Sequence, residues 1–384
     1  MKHIGNSLLL ATTLFSSAAI AENANDQAEI EALRERIDQL EQDLDAKLEA
    51  MADSMESQQT DESMANQVHL GGYGELHYNH LDVDGVDDRE LDFHRFVIFF
   101  GYDFSDSIRF VSELEVEHII ASSSRRGAVE LEQAFIEFDV YEGTMAQVGA
   151  ILMPIGIINE THEPPTFYGV ERPIVETTII PTTWWSNGVN LIYRTNNALR
   201  FDLMLSEGLK TGESDPFNLK GGKQKGSFAD AFDFAVTGRA TYTGMAGLEV
   251  AAYAQYQPDL DQSAEDSYAE EATLIGGHII YQLGEFTAKG LYARWDLGGD
   301  AAEAAGKDVQ DGGYLELAWR PMEALGFFIR QSAWSQEAEV DAAQTDFGLN
   351  YYPHSDVVLK FDYQLQNDDA GNSDGFNLGL GYQF

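Results

Sequence analysis

The sequence predicts an all-β transmembrane barrel of about 16 antiparallel strands, preceded by an α-helical coiled-coil segment. Three observations carry that expectation. From residue 67 onward, apolar and polar residues alternate with period two, as in strands with one apolar and one polar face. The connections between these runs are alternately short and long, the layout of a membrane barrel with tight turns at one end and loops at the other. Ahead of them, apolar residues recur at the helical spacings of three and four.

Composition narrows the classes. The chain has 384 residues, 65 acidic against 23 basic, and a formal net charge of −42. Nucleic acid, which needs a basic surface, is excluded as a partner. With no cysteine there is neither a disulfide nor a thiolate site. No apolar run in the mature chain is long enough for a membrane-spanning helix, which leaves a barrel open.

The first elements are read from their ends. Residues 1–21 form a signal peptide, with Lys2, an apolar run from Ile4 to Phe15, and the small-x-small site Ala19-Ile20-Ala21. Over 22–58, Ile30, Leu33, Ile37, Leu40, Leu44, Leu48, Met51 and Met55 form a heptad seam with one stutter near Leu44. The narrow stripe favours a periplasmic coiled coil over one amphipathic helix folded on its own domain. A polar linker follows at 59–66, and the barrel occupies 67–384.

Parity assigns the faces of the strands. Ile108, Phe110, Leu114 and Val116 face outward, which turns Arg109, Glu113, Glu115 and Glu117 into the lumen. The same alternation turns Arg200, Asp202, Arg239, Arg330, Lys360 and Asp362 inward. Seven short turns, among them Ser105–Ser107 and Thr195–Asn197, alternate with eight long loops, among them His80–Glu90, Gln336–Gln344 and Asn367–Ser373. Fifteen connections give sixteen strands, an even count as single-chain bacterial barrels have. The last strand puts Phe376, Leu378, Leu380, Tyr382 and the terminal Phe384 on one face. It resembles the closing strand of outer-membrane proteins.

Residues 153–187 break the alternation. They hold five of nine prolines and the pair Trp184-Trp185, too many breakers for a central strand and too apolar for a solvated linker. The segment is expected to fold into the lumen and narrow it. Ile157, Ile158, Phe167, Ile179, Ile180 and the tryptophans would press on the wall, leaving Glu160, His162, Glu163, Glu171 and Arg172 at the constriction. His162-Glu163 is read as making loop hydrogen bonds, and the acidic run Asp82–Asp88 lacks the spacing of a calcium loop. No nucleophile–base pair stands out, so no enzyme, no cofactor and no metal is expected.

The loop's wording, GAILMPIGIINETHEPPTFYGVERP followed by IIPTTWW, resembles the phosphate-selective porin O and P family, and the resemblance spans roughly Val68–Phe384. It implies an outer-membrane porin seated in lipid and lipopolysaccharide as a homotrimer, passing ions and small hydrophilic solutes by passive diffusion. The stem would then stand in the periplasm, within reach of peptidoglycan. Phosphate selectivity in that family requires basic side chains at the constriction. Here the loop offers Arg172 alone against Glu160, Glu163, Glu171 and Glu176, so the residues favour weak cation preference or low selectivity. The rival readings are a phosphate- or anion-selective porin, and a non-conducting barrel acting as an adhesin or receptor. A secreted β-sandwich on a stalk is disfavoured by the apolar outward faces.

Overall fold

Alternation of Leu, Ile, Val and Phe with Glu, Arg, Gln and Ser builds strands whose two faces need two different solvents. The computed structural model describes residues 67–120, 127–263, 269–338, 340–368 and 371–384. Sixteen strands pair antiparallel in sequence order, and β1 (Val68–Val83) closes on β16 (Gly371–Gln383), so no edge is left unpaired. Closure runs from Tyr73↔Gln383 to Val83↔Ser373. Between them lie β2 (Val86–Ser105), β3 (Ile108–Glu117), β4 (Val129–Tyr141), β5 (Thr144–Leu152), β6 (Trp185–Arg194), β7 (Leu199–Ser206) and β8 (Ala235–Tyr242). The circuit continues through β9 (Leu248–Gln257), β10 (Ala272–Leu283), β11 (Phe286–Leu297), β12 (Val309–Met322), β13 (Leu325–Glu337), β14 (Val340–His354) and β15 (Val357–Asp368).

Strand β12 shows which face is which. Leu315 and Leu317 are 71% and 62% exposed on the outside, while Tyr314 and Glu316 are 3% and 2% exposed inside. A whole circumference of exposed Leu, Ile, Val and Phe is untenable in water and suits lipid. Phe104, Tyr141, Tyr193, Phe286 and Trp319 ring the short-turn end, and Phe234, Tyr256 and Tyr292 are exposed toward the other. Such aromatic girdles mark the two interfaces of an outer-membrane barrel.

The strands run further than alternation alone indicates. The expected loops His80–Glu90, Gln336–Gln344 and Asn367–Ser373 are largely strand. β1 and β2 meet at a two-residue turn, Asp84-Gly85, with φ of 52° and 82°, a conformation that suits an Asp-Gly hairpin. Beyond the bilayer both faces of a strand meet water, so charges occupy both and the period-two signal fades while the backbone ladder continues.

The predicted combination of helix and barrel is corrected. The signal peptide, the coiled coil over 22–58 and the linker lie outside the described residues. Among the described residues the helices are a turn of 3₁₀ at Pro164–Thr166, one α turn at Val175–Thr178 and a short helix at Asp300–Ala305, and none precedes β1. The fold described is an all-β barrel alone. A heptad stripe names no partner to bury its seam, and short helices need one. The periplasmic stem, and the peptidoglycan contact that depended on it, are withdrawn with it.

Candidate pore constriction

The segment leaving β5 is a loop, residues 153–184, with its neck tied shut. Met153 N–H donates to Trp184 C=O at 2.9 Å. The buried Asn159 side chain clamps both ends, with Nδ2 donating to Met153 O and Trp184 O at 2.8 Å each and Oδ1 accepting from Trp184 N at 2.7 Å. Loop backbone that cannot join a ladder is thus satisfied by a side chain.

One flank of the loop is apolar. Val175, Ile179, Ile180 and Trp184 share a buried cluster with Tyr253, Leu274, Leu291, Trp295 and Tyr314 of the inner wall. The Trp295 indole donates to Ile179 O at 3.0 Å and its ring lies 6.2 Å from that of Trp184. Glu176, fully buried here, accepts from Ile157 N and Ile158 N at 2.7 Å each and from Tyr314 Oη at 2.7 Å. Gly156 turns over that carboxylate with φ +80°, where a Cβ would stand 2.6 Å from Oε2. Glu176 is therefore a fastening and does not face the water path.

The other flank is polar and reaches strands from both ends of the chain. Arg330 donates to Tyr168 O (2.6 Å) and Asn350 to Phe167 O (3.0 Å), while Asp362 accepts from Val170 N (2.6 Å). The Lys360 ammonium sits 3.5 Å from the centre of the Phe167 ring, a cation–π contact. Pro164 lies against Gly381 so closely that a Cβ there would be 2.2 Å away. Buried His162 has Nε2 at 3.3 Å from Glu113 and 3.5 Å from Glu132. Burial pulls the His162 pKa down, but the two carboxylates outweigh it and hold it up at about 9.

Of the expected constriction residues, Glu160 joins Arg200 and Arg239, which also grip Asp202 at 2.6 and 3.1 Å. Glu171 accepts from His77 and Asn79 at 3.0 Å each, and Arg172 donates to Thr183 Oγ1 at 2.8 Å. Glu163 contributes its carbonyl to a turn with Thr166. Arg330 pairs with Glu316 at 3.0 Å, and Arg95 binds Glu75 at 2.7 Å and lies 3.5 Å from Glu115. Arg109 stands apart, paired with Glu137 and Asp139 near the short turns.

Cavities lie on both sides of the loop. On the short-turn side one of about 660 Å³ is lined by Glu160, Arg194, Arg200, Arg239 and Glu249. On the long-loop side one of about 400 Å³ is lined by Glu117, Glu130, Glu132 and Glu171 together with Arg172, Lys220, Lys223 and Lys225. Lys225 binds Glu130, and Lys223 donates to Thr183 O at 2.8 Å. Burial, with neighbouring Lys225 and Lys220, lowers the Lys223 pKa to about 8.

Sequence reasoning missed this lysine group, although Lys220, Lys223 and Lys225 are concentrated in one short stretch, KGGKQK. It also missed that residues 207–234 fold inward: Leu209, Phe217 and Leu219 join the same apolar cluster, and Phe217 O accepts from Gln310 at 2.8 Å. Glu132 was missed because a bulge between Glu113 and Leu114 shifts its strand's parity.

No family model matches the chain. The resemblance to the phosphate-selective porin O and P family is therefore not sustained. The loop's wording did not single out one family. A protein of Aquifex aeolicus (strain VF5), itself described only as uncharacterized, is 28% identical over 362 residues, covering 83% of this chain and 80% of its own. Among solved structures, the anion-selective porin from Comamonas acidovorans is similar with a TM-score of 0.61 at 11% identity, over 83% of this chain and 99% of that one. The outer membrane channel DcaP of Acinetobacter baumannii (0.58, 11%) and OmpT of Vibrio cholerae (0.55, 10%) are similar over 83% of this chain and 97% of theirs. The fold is that of outer-membrane porin and channel barrels.

Proposed function

We propose that the chain is a porin through which ions and small hydrophilic solutes diffuse passively, with loop 153–184 as its constriction. The observation that carries this reading is the fastening of that loop across the lumen between two charged cavities. A barrel of sixteen strands is wide enough for an aqueous path. Several of the lumen's carboxylates are paired with arginines, as Glu75, Asp202 and Glu316 are, so the large negative charge of the whole chain does not translate directly into a negative filter. Low ionic selectivity follows, with Glu160, Glu171 and Arg172 nearest the solute.

A second reading, preference for anions, is favoured by one arrangement. Arg172 Nε and Nη2 are buried without hydrogen-bond partners beside Lys220 and Lys223. Cations at a narrow mouth raise the local anion concentration. Homotrimeric assembly is also part of the proposal; one structure of OmpT is described as a trimer form.

Purified protein in planar bilayers tests the function. Stable stepwise conductance is expected, and a barrel that binds ligands without conducting would overturn it. In a salt gradient the reversal potential is expected near zero for the wild type, and replacing Lys220 and Lys223 with Glu should move it to the cation side. A wild-type reversal far to the anion side would select the second reading.

A further inference from the structure

We propose a binding site for a borderline divalent transition-metal ion, of the Zn²⁺, Ni²⁺ or Cu²⁺ class, at the long-loop mouth of the barrel, formed by Asp92, His94 and His118. The three lie on β2 and at the end of β3, close to where His77 holds Glu171. Asp92 and His94 are two residues apart on one strand. His118 is the cross-strand neighbour of His94, its N–H donating to His94 O at 3.0 Å. Backbone pairing, and not loop flexibility, therefore sets their separation.

The ligand atoms converge. Asp92 Oδ2 stands 3.3 Å from His94 Nδ1 and 2.7 Å from His118 Nδ1, and all three ligand atoms lie within 4.8 Å of one another. A tetrahedral ion with ligands at about 2.0–2.1 Å sets them roughly 3.3 Å apart, so small side-chain adjustments suffice. Both imidazoles turn the same nitrogen to one carboxylate oxygen. In the absence of an ion each Nδ1 can carry a proton and donate; a metal bound at Nδ1 takes the neutral Nε2–H tautomer, each proton moving from Nδ1 to Nε2 by exchange with water. The side chains are 30%, 18% and 33% exposed for His94, Asp92 and His118, so water reaches the fourth position. The His94 ring is stacked on His77 at 4.7 Å with 8° between planes, which fixes its orientation.

Two nitrogens and one oxygen select the metal class. Calcium and magnesium require oxygen ligands, whereas imidazole suits zinc, nickel and copper. The two other candidate groups among the described residues differ in kind. Glu115, Glu117 and Glu130 are all carboxylates, and Glu113, Glu132 and His162 are buried and already fasten the loop. No metal-binding spacing marks the site in sequence, because His94 and His118 are far apart in the chain and His94 sits at the β1–β2 bulge, outside the register.

Zinc chloride titrated calorimetrically into the full chain in detergent tests the proposal. One zinc per chain is expected, with affinity reduced on the order of tenfold or more by Asp92→Asn and by His118→Ala, and unchanged by His80→Ala and Glu130→Gln. Excess calcium chloride should not displace the zinc. Should His118→Ala fail to give a heat-resistant barrel, the nearly isosteric Asp92→Asn decides. Wild-type affinity in Asp92→Asn, displacement by calcium, or loss of binding in Glu130→Gln instead would overturn the site.

Discussion

His162 is a buried group whose charge has a fastening role. Its pKa of about 9 exceeds the ordinary value of 6.5, so the folded loop binds the proton more tightly than the unfolded chain does. The stabilisation is complete below pH 6.5, declines through the window to about 9, and is gone above it. Wild-type and His162→Asn proteins should therefore differ most in loop protection from protease at acid and neutral pH and converge above about pH 9. Taking the difference removes the opposite contribution of Lys223, which both proteins share. A difference that does not change with pH would contradict the charged imidazole. Glu176 has a comparable role without a cation. Glu176→Ala leaves three donors unsatisfied and is expected to cost about 3 kcal/mol or more of loop stability, seen as noisier and larger conductance steps. Unchanged conductance and protease resistance would count against it. Nothing in the sequence separated Glu176 from Glu160 or Glu171: all are loop carboxylates, and only tertiary placement puts one beneath the loop and two beside the water.

Among the elements, strands were the most legible. Alternation gave β3, β7, β8, β13 and β15 one apolar and one polar face, because a membrane barrel enforces that division at each step. It lapsed where that constraint lapses, in the upper parts of β1, β2, β13 and β16, where strands rise beyond the lipid. It also lapsed at the bulges that displace Glu132 and His94. Loop 153–184 stood out in the sequence by its prolines and tryptophans, which break the alternation. The inward fold of residues 207–234 did not, since Leu209, Phe217 and Leu219 are too few and too scattered to form a pattern.

For the whole molecule, net charge was a poor guide. A value of −42 describes the chain, whereas transport depends on which charges are left unpaired beside the path, and pairing joins residues from distant strands. Closure is equally distributed. Phe384 and Gly72 exchange two backbone hydrogen bonds of 2.9 Å, and β16 pairs with both β15 and β1. Truncation after Asp374 exposes two ladders at once, so it should abolish the heat-resistant barrel on electrophoresis. A truncated chain that still migrates as a folded barrel would show that closure does not need this strand.

The contact of Pro164 with Gly381 bears on the order of assembly. The loop emerges after β5, yet four of its resting places, Arg330, Asn350, Asp362 and Gly381, are made later in the chain. It cannot take up its final position until the last strand arrives. The contacts that fix the loop and the pairing that closes the wall are therefore completed together.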